Sequence, residues 1–406
     1  MRRPFRPVLL LGALLAGLVG SATPSGAAGA SAVPPPPFPT VTALAATAGG
    51  APAYLDSNDG LYRSSAAPFS AWTRQNSQDG IVSLSVNPRQ PDDLVYAGAT
   101  GAIYRSTDGG KTVRLAAEAL GIVAIARAAT VPSTLYAAGL VSGAAIIARS
   151  TDDGRTWTTV HTETPGEGDA SIHAVTVDPT NALHVLTGIG LYHTTELIES
   201  QDGGATWNQL PEPADVTVED PRLLTFDPTN PRGIWAEWGE DGDALPLKHS
   251  ADGGHTWRNV SPAPPSFSVA TGIGFDPRRH RVYVSVPDET DGGIGPLPTR
   301  IYWTADDGAH YTRFAPNVTA GGQVAILGDS GVLITGDADT PVTIFRLQAV
   351  PLGRSEVVNP ILQPDARSDQ PGRCYPATKN LVTSSHAWTR RGICRTRGSP
   401  LGRPSR

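Results

Sequence analysis

The stretch HSADGGHTW (249–257) places a serine, an aspartate, a glycine and a tryptophan at fixed spacing around a short turn. Nearly the same phrase stands at four other places: RSTDGGKTV (105–113), RSTDDGRTW (149–157), ESQDGGATW (199–207) and WTADDGAHY (303–311). A degenerate sixth copy begins at Ser65 and keeps only Trp72 of the pattern. Aligned at residues 65, 106, 150, 200, 250 and 304, successive copies begin 41 to 54 residues apart. Repeats of this length are typical of propeller blades or solenoid units.

Each interval between copies also contains several short β runs separated by turn signals. A turn such as NPRQPDD (87–93) or DPTN (178–181) precedes a run such as LVYAG (94–98). About four runs per interval predict an all-β fold, a single β-propeller of six or seven four-stranded blades. The last blade, at 323–347, lacks the repeated phrase. Because an open ring would leave exposed strand edges, we expect strands from both ends of the body to complete one blade.

The spacing inside the phrase is explained by folding a hairpin. The aspartate accepts hydrogen bonds from backbone N–H groups of a tight turn, and the glycine permits a left-handed backbone. The terminal aromatic residue can pack between sheets. We therefore interpret the repeated residues as structural and not catalytic. They are Ser106, Asp108, Gly110; Ser150, Asp152, Gly154, Trp157; Ser200, Asp202, Gly204, Trp207; Ser250, Asp252, Gly254, Trp257; and Thr304, Asp306, Gly308, Tyr311.

The two ends of the chain differ from the body. Residues 1–32 combine three arginines, a 12-residue apolar stretch (8–19) and A-x-A sites, which predicts a secretory signal peptide cleaved near residue 30 or 32. Residues 351–406 are Arg- and Pro-rich without strand periodicity, which predicts a disordered basic tail. The two cysteines, Cys374 and Cys394, both lie in this tail, and whether they pair is left open. We expect a secreted, monomeric protein whose domain spans 33–350 and has no transmembrane segment.

Charge separates the body from the tail. Residues 351–406 carry 10 basic and 3 acidic side chains, or +7, and residues 1–32 carry +3. Since the whole chain carries −6, residues 33–350 carry −16. A strongly acidic body argues against nucleic acid as a partner. The zinc-protease and serine-hydrolase motifs are absent from the sequence, and we expect no cofactor and no metal.

The repeated phrase resembles the Asp-box, or BNR, repeat over about residues 41–350. This repeat occurs in bacterial sialidases, xyloglucanase-type glycosidases, sortilin-type receptor domains and a photosystem II assembly factor. The resemblance implies a propeller in which the box is structural and lies away from the active site. Val113 replaces the expected tryptophan in one copy. The three-arginine clamp of sialidases has no counterpart beyond Arg127 and Arg222, and the tandem propellers of xyloglucanases would need a longer chain.

If strands alternate in direction, the boxes and the DPTN-type turns share one face. That face carries the basic residues Arg89, Lys111, Arg155, His255, Arg278 and Arg279. The opposite face is predicted to carry a set of carboxylates around the mouth of the ring. They are Glu163, Glu167, Asp169, Glu196, Glu212, Asp215, Glu219, Asp220, Glu237, Glu240, Asp241, Asp243, Asp288, Glu289 and Asp291.

Three functions remain open for this acidic mouth. A glycoside hydrolase would use two of its carboxylates, and Asp220 and Glu237 are our candidates. Predicted ligand contacts are Trp235, Trp238, Glu240, Asp241, Arg222 and His193. A binding propeller would offer the mouth to a basic peptide, a cation or a glycan, and an assembly role is the third hypothesis. Because loop carboxylates are usually only solvated, we favour a non-catalytic binding or scaffold module over the hydrolase.

Overall fold

The computed structural model describes the chain in segments. They are residues 30–33, 43–46, 52–57, 60–65, 71–77, 80–118, 121–166, 168–191, 194–213, 221–238, 246–262, 270–287, 298–319, 324–327, 331–334 and 343–347. All of them belong to the first of two compact units, Met1–Pro360; the second is Ile361–Arg406. The predicted basic tail with Cys374 and Cys394, and the predicted signal peptide up to residue 29, lie outside the described residues.

Within these segments, 28 strands form seven antiparallel four-stranded sheets, which we call blades 1 to 7. Blade 1 comprises β2 (Ala43–Ala46), β3 (Ala53–Ser57), β4 (Gly60–Ser64) and β5 (Trp72–Arg74). Blade 2 comprises β6 (Ile81–Val86), β7 (Leu94–Gly98), β8 (Ile103–Ser106) and β9 (Arg114–Ala117). Blade 3 comprises β10 (Ile122–Arg127), β11 (Leu135–Val141), β12 (Ala144–Ser150) and β13 (Thr158–Glu163).

The second half of the chain continues the same order. Blade 4 comprises β14 (Val175–Val177), β15 (Val185–Leu191), β16 (Thr194–Ser200) and β17 (Asn208–Leu210). Blade 5 comprises β18 (Leu223–Asp227), β19 (Asn230–Glu237), β20 (Leu247–Ser250) and β21 (Arg258–Asn259). Blade 6 comprises β22 (Gly272–Asp276), β23 (Arg281–Pro287), β24 (Pro298–Thr304) and β25 (Thr312–Thr319). Blade 7 comprises β26 (Val324–Leu327), β27 (Gly331–Ile334), β28 (Thr343–Leu347) and β1 (Ala30–Val33).

The blades form a ring. The innermost strand is the first of the four in blades 1 to 6, and it is β26 in blade 7. Residues of β2, β18, β22 and β26, which come from blades 1, 5, 6 and 7, line one central cavity. Blades 1 to 6 each use four consecutive strands, whereas blade 7 is completed by β1, in the order β1-β28-β27-β26. The predicted propeller of six or seven blades is therefore confirmed, as is closure by strands from both ends of the body.

The hydrophobic core lies between blades. One cluster joins Val95 and Ile103 of blade 2 to Leu135 and Ile146 of blade 3, with Trp157 packed against it. Comparable clusters join blades 1 and 2, 3 and 4, 4 and 5, and 5 and 6. Because both faces of a blade are buried, strands such as β7 are buried at every position instead of alternating.

Candidate functional site

The hairpin turns define the two faces of the ring. We call the face that carries the box turns (106–113, 150–157, 200–207, 250–257 and 304–311) the box face. In blades 2 to 5 the box turn bonds to the backbone at or next to the turn between the first two strands, as when Gly253 N–H donates to the Arg232 carbonyl at 2.9 Å. The opposite face, made of the second-to-third-strand hairpins and the segments between blades, is called the link face.

Each box turn is held together by its own side chains. In blade 4, Ser200 Oγ donates to Asp202 Oδ1 at 2.9 Å and accepts from Gly204 N–H at 2.7 Å. The Thr206 N–H and hydroxyl donate to Asp202 at 2.8 and 2.7 Å. These bonds from Thr206 lower the pKa of Asp202 to about 2. The same Ser/Thr–Asp–Gly bonds recur in the other four boxes. The aspartate oxygens are thus engaged within the turn.

Three glutamates at the link-face side of blades 3 and 4 lie near enough for charge to act from Glu163 on Glu196 and from Glu196 on Glu212, and we call them the glutamate cluster. Glu163 ends β13, Glu196 lies in β16, and Glu212 follows β17 by two residues. All three are partly buried. The sequence predicted each of them at the acidic mouth, but it did not indicate that these three would be neighbours.

Burial and repulsion between the carboxylates raise the pKa values of two glutamates of the cluster. Burial raises the pKa of Glu196, and the negative charge of Glu163 raises it further. Burial likewise raises the pKa of Glu212, with a further contribution from Glu196 and an opposing hydrogen bond from Gln209. Ionised carboxylates are therefore disfavoured here, and a positive charge placed among them would be stabilised.

One histidine lies beside the cluster. His161 Nε2 is 3.6 Å from Glu163 Oε2, and the imidazole packs against Trp207 with ring centroids 5.2 Å apart. Burial lowers the pKa of His161, although Glu163 acts in the opposite direction. The His161 imidazole is therefore less readily protonated than an exposed histidine and adds less positive charge to the cluster.

The residues proposed as a glycosidase site occupy different environments. Trp235 and Trp238 are both 0% exposed. Trp235 packs toward blade 6 with Val284. Trp238 packs toward blade 4 and stands edge-on to Trp257. Neither ring offers a face to a ligand, which is at odds with the predicted sugar contact; the physical reason is that each fills the space between two blades.

The remaining predicted site residues are only partly described. Glu237 ends β19 and is 5% exposed, and its carbonyl accepts from the Arg222 N–H at 3.2 Å. Arg222 itself is exposed. Asp220, Glu240, Asp241 and His193 lie outside the described residues, so their assignment stays a prediction.

The arginine considered for a central clamp is engaged within the fold. The Arg127 side chain is 4% exposed and lies 3.8 Å from Asp153. Its Nη1 also donates to the Pro132 carbonyl at 2.7 Å. These contacts tie β10 to the turn regions of the box face instead of presenting the guanidinium to a substrate.

The central cavity between blades 1, 5, 6 and 7 has a mostly apolar lining. A cavity of about 580 Å³ is lined by side chains of the innermost strands, including Leu44, Leu223, Ile273, Val324 and Ile326. Pro228 and Pro277, from turns on the box face, also line it. Within the described segments, no group of three or more His, Cys, Asp or Glu side chains is arranged to hold a metal ion. No helix in the described part of the chain is long and apolar enough to cross a membrane.

Comparison with known proteins yields structural neighbours only. No protein-family model matches the chain, and no curated protein matches it. Among solved structures, the GH74 enzyme of Niastella koreensis aligns with a TM-score of 0.62 and 17% identity, over 81% of this chain and 55% of that one. The GH74 xyloglucanase of Xanthomonas campestris aligns with a TM-score of 0.61 and 18% identity, over 79% and 54%. The chain thus spans about half the length of these enzymes.

A second kind of neighbour matches over nearly its whole length. YCF48 bound to D1 peptide aligns with a TM-score of 0.52 and 14% identity, over 79% of this chain and 96% of that one. YCF48 from Cyanidioschyzon merolae gives a TM-score of 0.53 and 14% identity, over 79% and 99%. At these identities the likeness shows the fold: the chain is a β-propeller of the kind that both groups share.

Proposed function

We propose that this protein is a non-catalytic binding module that takes a basic segment of a polypeptide on its link face. The glutamate cluster is the observation that carries the proposal. The sequence of residues 1–32 supports export, and we place the activity outside the membrane.

The cluster costs folding free energy in the absence of a ligand. Raised carboxyl pKa values mean that the folded state resists ionisation of Glu196 and Glu212 more than the unfolded chain does. A protein that needed only solubility would place these charges apart. A lysine or arginine side chain of a partner would relieve the repulsion, and part of its binding free energy comes from that relief.

Two further observations agree with a peptide ligand. The body carries a net charge of −16 over residues 33–350, which favours encounter with basic partners. One structural neighbour, YCF48, is described as bound to a peptide, so a propeller of this fold can bind a peptide. That the peptide should be basic is inferred from the glutamates of this chain and not from the neighbour.

The test uses the full chain and a lysine-rich peptide as probe, with binding followed by calorimetry at low and moderate salt. We expect Glu196→Gln to weaken binding by at least about fivefold, because one desolvated charge contact is lost. The matched control is Glu118→Gln, an exposed carboxylate in the segment between blades 2 and 3 of the same face. It removes the same net charge outside the cluster.

The stability of the free protein supplies a second readout. A folded-state pKa raised above the unfolded value contributes stability that is present at low pH and lost as pH rises through the folded pKa. Folding therefore opposes the ionisation of Glu196 once the pH exceeds the unfolded value near 4, and we expect Glu196→Gln to raise the Tm of the free protein at neutral pH while Glu118→Gln leaves it unchanged. Equal loss of peptide binding in both variants, or a lowered Tm in Glu196→Gln, would contradict the proposal.

A glycoside hydrolase is the second candidate, favoured by the same raised pKa values. A general acid needs a carboxyl group whose pKa is raised, so that it holds its proton at a higher pH than an ordinary carboxyl group does. We expect no sugar release from xyloglucan, other β-glucans or sialosides by the full chain. Turnover on any of them that is abolished by Glu196→Gln, Glu212→Gln or Glu237→Gln without loss of Tm would replace the binding proposal with the hydrolase.

A further inference from the structure

A pocket on the box face is lined by cationic and hydroxyl-bearing side chains. It has a volume of about 310 Å³ and lies where the box turn and outer strand of blade 2 meet the box turn of blade 3. Three arginines line it, Arg105, Arg114 and Arg155, together with the hydroxyl-bearing Ser106, Thr107 and Thr112. None of the described residues that line this pocket is acidic, although Arg105 is paired with Asp93 at 3.2 Å and Arg155 lies 3.4 Å from Asp153.

One of the three guanidinium groups is held in place by the fold. Arg105 Nε donates to the Asp153 carbonyl of the next blade at 2.7 Å, and Nη2 donates to Asp93 Oδ2 at 3.2 Å. Its side chain is only 14% exposed. A ligand that binds this guanidinium meets a group whose conformational entropy has already been lost in folding.

The other two arginines reach the pocket from exposed positions. Arg155 Nη1 bonds to the Asp152 carbonyl at 2.9 Å and lies 3.4 Å from Asp153 Oδ2, with 59% of its side chain exposed. Arg114 begins β9 and is exposed. These two side chains can close on a ligand that sits against the fixed Arg105.

The repeat supplies an internal comparison. The positions of Arg105 and Arg114 in one box, and of Arg155 in the next, recur at each boundary between successive boxes. The equivalent residues are Arg149, Thr158 and Ala205 between blades 3 and 4; Glu199, Asn208 and His255 between blades 4 and 5; and His249, Arg258 and Ala309 between blades 5 and 6. Those box turns form the same internal hydrogen bonds without three arginines. Folding of the turn therefore does not explain why three are present here.

The donors at the pocket define the class of ligand. The Ser106 and Thr112 hydroxyls already donate to Asp108, so the guanidinium groups supply most of the remaining donors. A carboxylate offers two oxygens, whereas three guanidiniums approaching from different elements match an anion with three or four acceptor oxygens. We propose that this pocket binds a tetrahedral oxyanion, the phosphoryl or sulfuryl group of a free ion or of an ester. The propeller would then bind ligands of opposite charge on its two faces.

The test titrates the full chain with inorganic phosphate, O-phosphoserine and acetate at constant ionic strength, and follows the Arg side-chain N–H resonances. We expect saturable binding of phosphate or phosphoserine and at least about tenfold weaker binding in Arg114→Ala and Arg155→Ala, since charge-assisted bidentate bonds are lost. Lys111→Ala is the matched control, because this exposed cation is on the blade 2 box turn but does not line the pocket.

Comparing phosphate with phosphoserine distinguishes a site for the free ion from a site for an ester on a larger molecule. Equal binding of phosphate and phosphoserine supports a site for the free ion, and binding of phosphoserine alone supports recognition of an ester on a larger molecule. Acetate binding as tight as that of phosphate would overturn the proposal. So would binding that survives Arg114→Ala, or that falls as much in Lys111→Ala, because the effect would then be general electrostatics.

Discussion

At the scale of single residues, the box glycine meets two demands at once. Gly204 has a φ of 96°, a backbone region that side chains disfavour. It also lies against the preceding blade, and a Cβ atom there would come within 2.6 Å of Val160 Cγ2. Gly253 shares the left-handed backbone, with a φ of 83°, but has no atom within 4 Å of its Cβ position.

These two glycines allow the backbone and packing effects to be separated. We expect Gly204→Ala to lower the free energy of unfolding by roughly 2–5 kcal/mol, the sum of left-handed strain and overpacking. Gly253→Ala should cost only the strain, about 1–2 kcal/mol. Urea denaturation of both variants measures the difference. Equal losses would mean that the box turn does not pack tightly on the neighbouring blade.

At the scale of elements, the outer strand of blade 7 contains the residues at which cleavage of the signal peptide was predicted. β1 spans Ala30–Val33 and pairs with β28 from Ala30↔Leu347 to Val33↔Ile344. Cleavage after Ala32 would leave one residue of this strand, whereas cleavage after Ala30 would leave three. Because unpaired edges are costly and prone to aggregation, ring closure favours the earlier site.

We therefore expect the mature protein to begin at or before Ser31, as determined by N-terminal sequencing of the exported chain. A version that begins at residue 34 should unfold at lower temperature and aggregate more readily, since β28 loses its outer partner. A version that begins at residue 31 is the matched control. Indistinguishable Tm values for the two would show that β1 adds nothing to closure.

At the scale of the whole molecule, the five box aspartates share one response to acid. Hydrogen bonds from Thr256 lower the pKa of Asp252 to about 2, and the pKa values of Asp108, Asp152, Asp202 and Asp306 are also lowered. A depressed folded-state pKa gives stability that is present above the unfolded value near 4 and lost as pH falls through about 2. The ring should thus lose stability over this window.

The contribution of one box is measured by comparing Asp252→Asn with the unsubstituted chain. We expect the variant to be less stable at pH 6, with a smaller further loss between pH 4 and 2, because the missing carboxylate no longer takes up a proton. Thermal unfolding across this range provides the data. Parallel pH profiles would show that Asp252 is not the source of the acid sensitivity.

Much of this architecture could be predicted from the sequence because the box turn is formed by residues that are close together in the chain. The side chains of Ser250 and Asp252 bond to groups between residues 250 and 256, so a nine-residue window contains the side-chain hydrogen bonds that shape the turn. Its recurrence at blade spacing predicted the propeller and, through strand alternation, which face carries the basic turns. Blade 7 was harder to predict, since it has no box and its fourth strand comes from the other end of the body.

The candidate sites depended on contacts between blades, which no local window contains. Trp235 and Trp238 were predicted to contact a ligand beside the carboxylate of Glu237, yet both fill spaces between neighbouring blades. The neighbouring positions of Glu163 and Glu196, and of Arg114 and Arg155, follow from how adjacent sheets pack around the ring. The sequence by itself determined the turns, the repeat and the blades, because these rest on hydrogen bonds within a few residues. Only the tertiary structure decided which charges meet, because that depends on the packing of sheets some 50 residues apart.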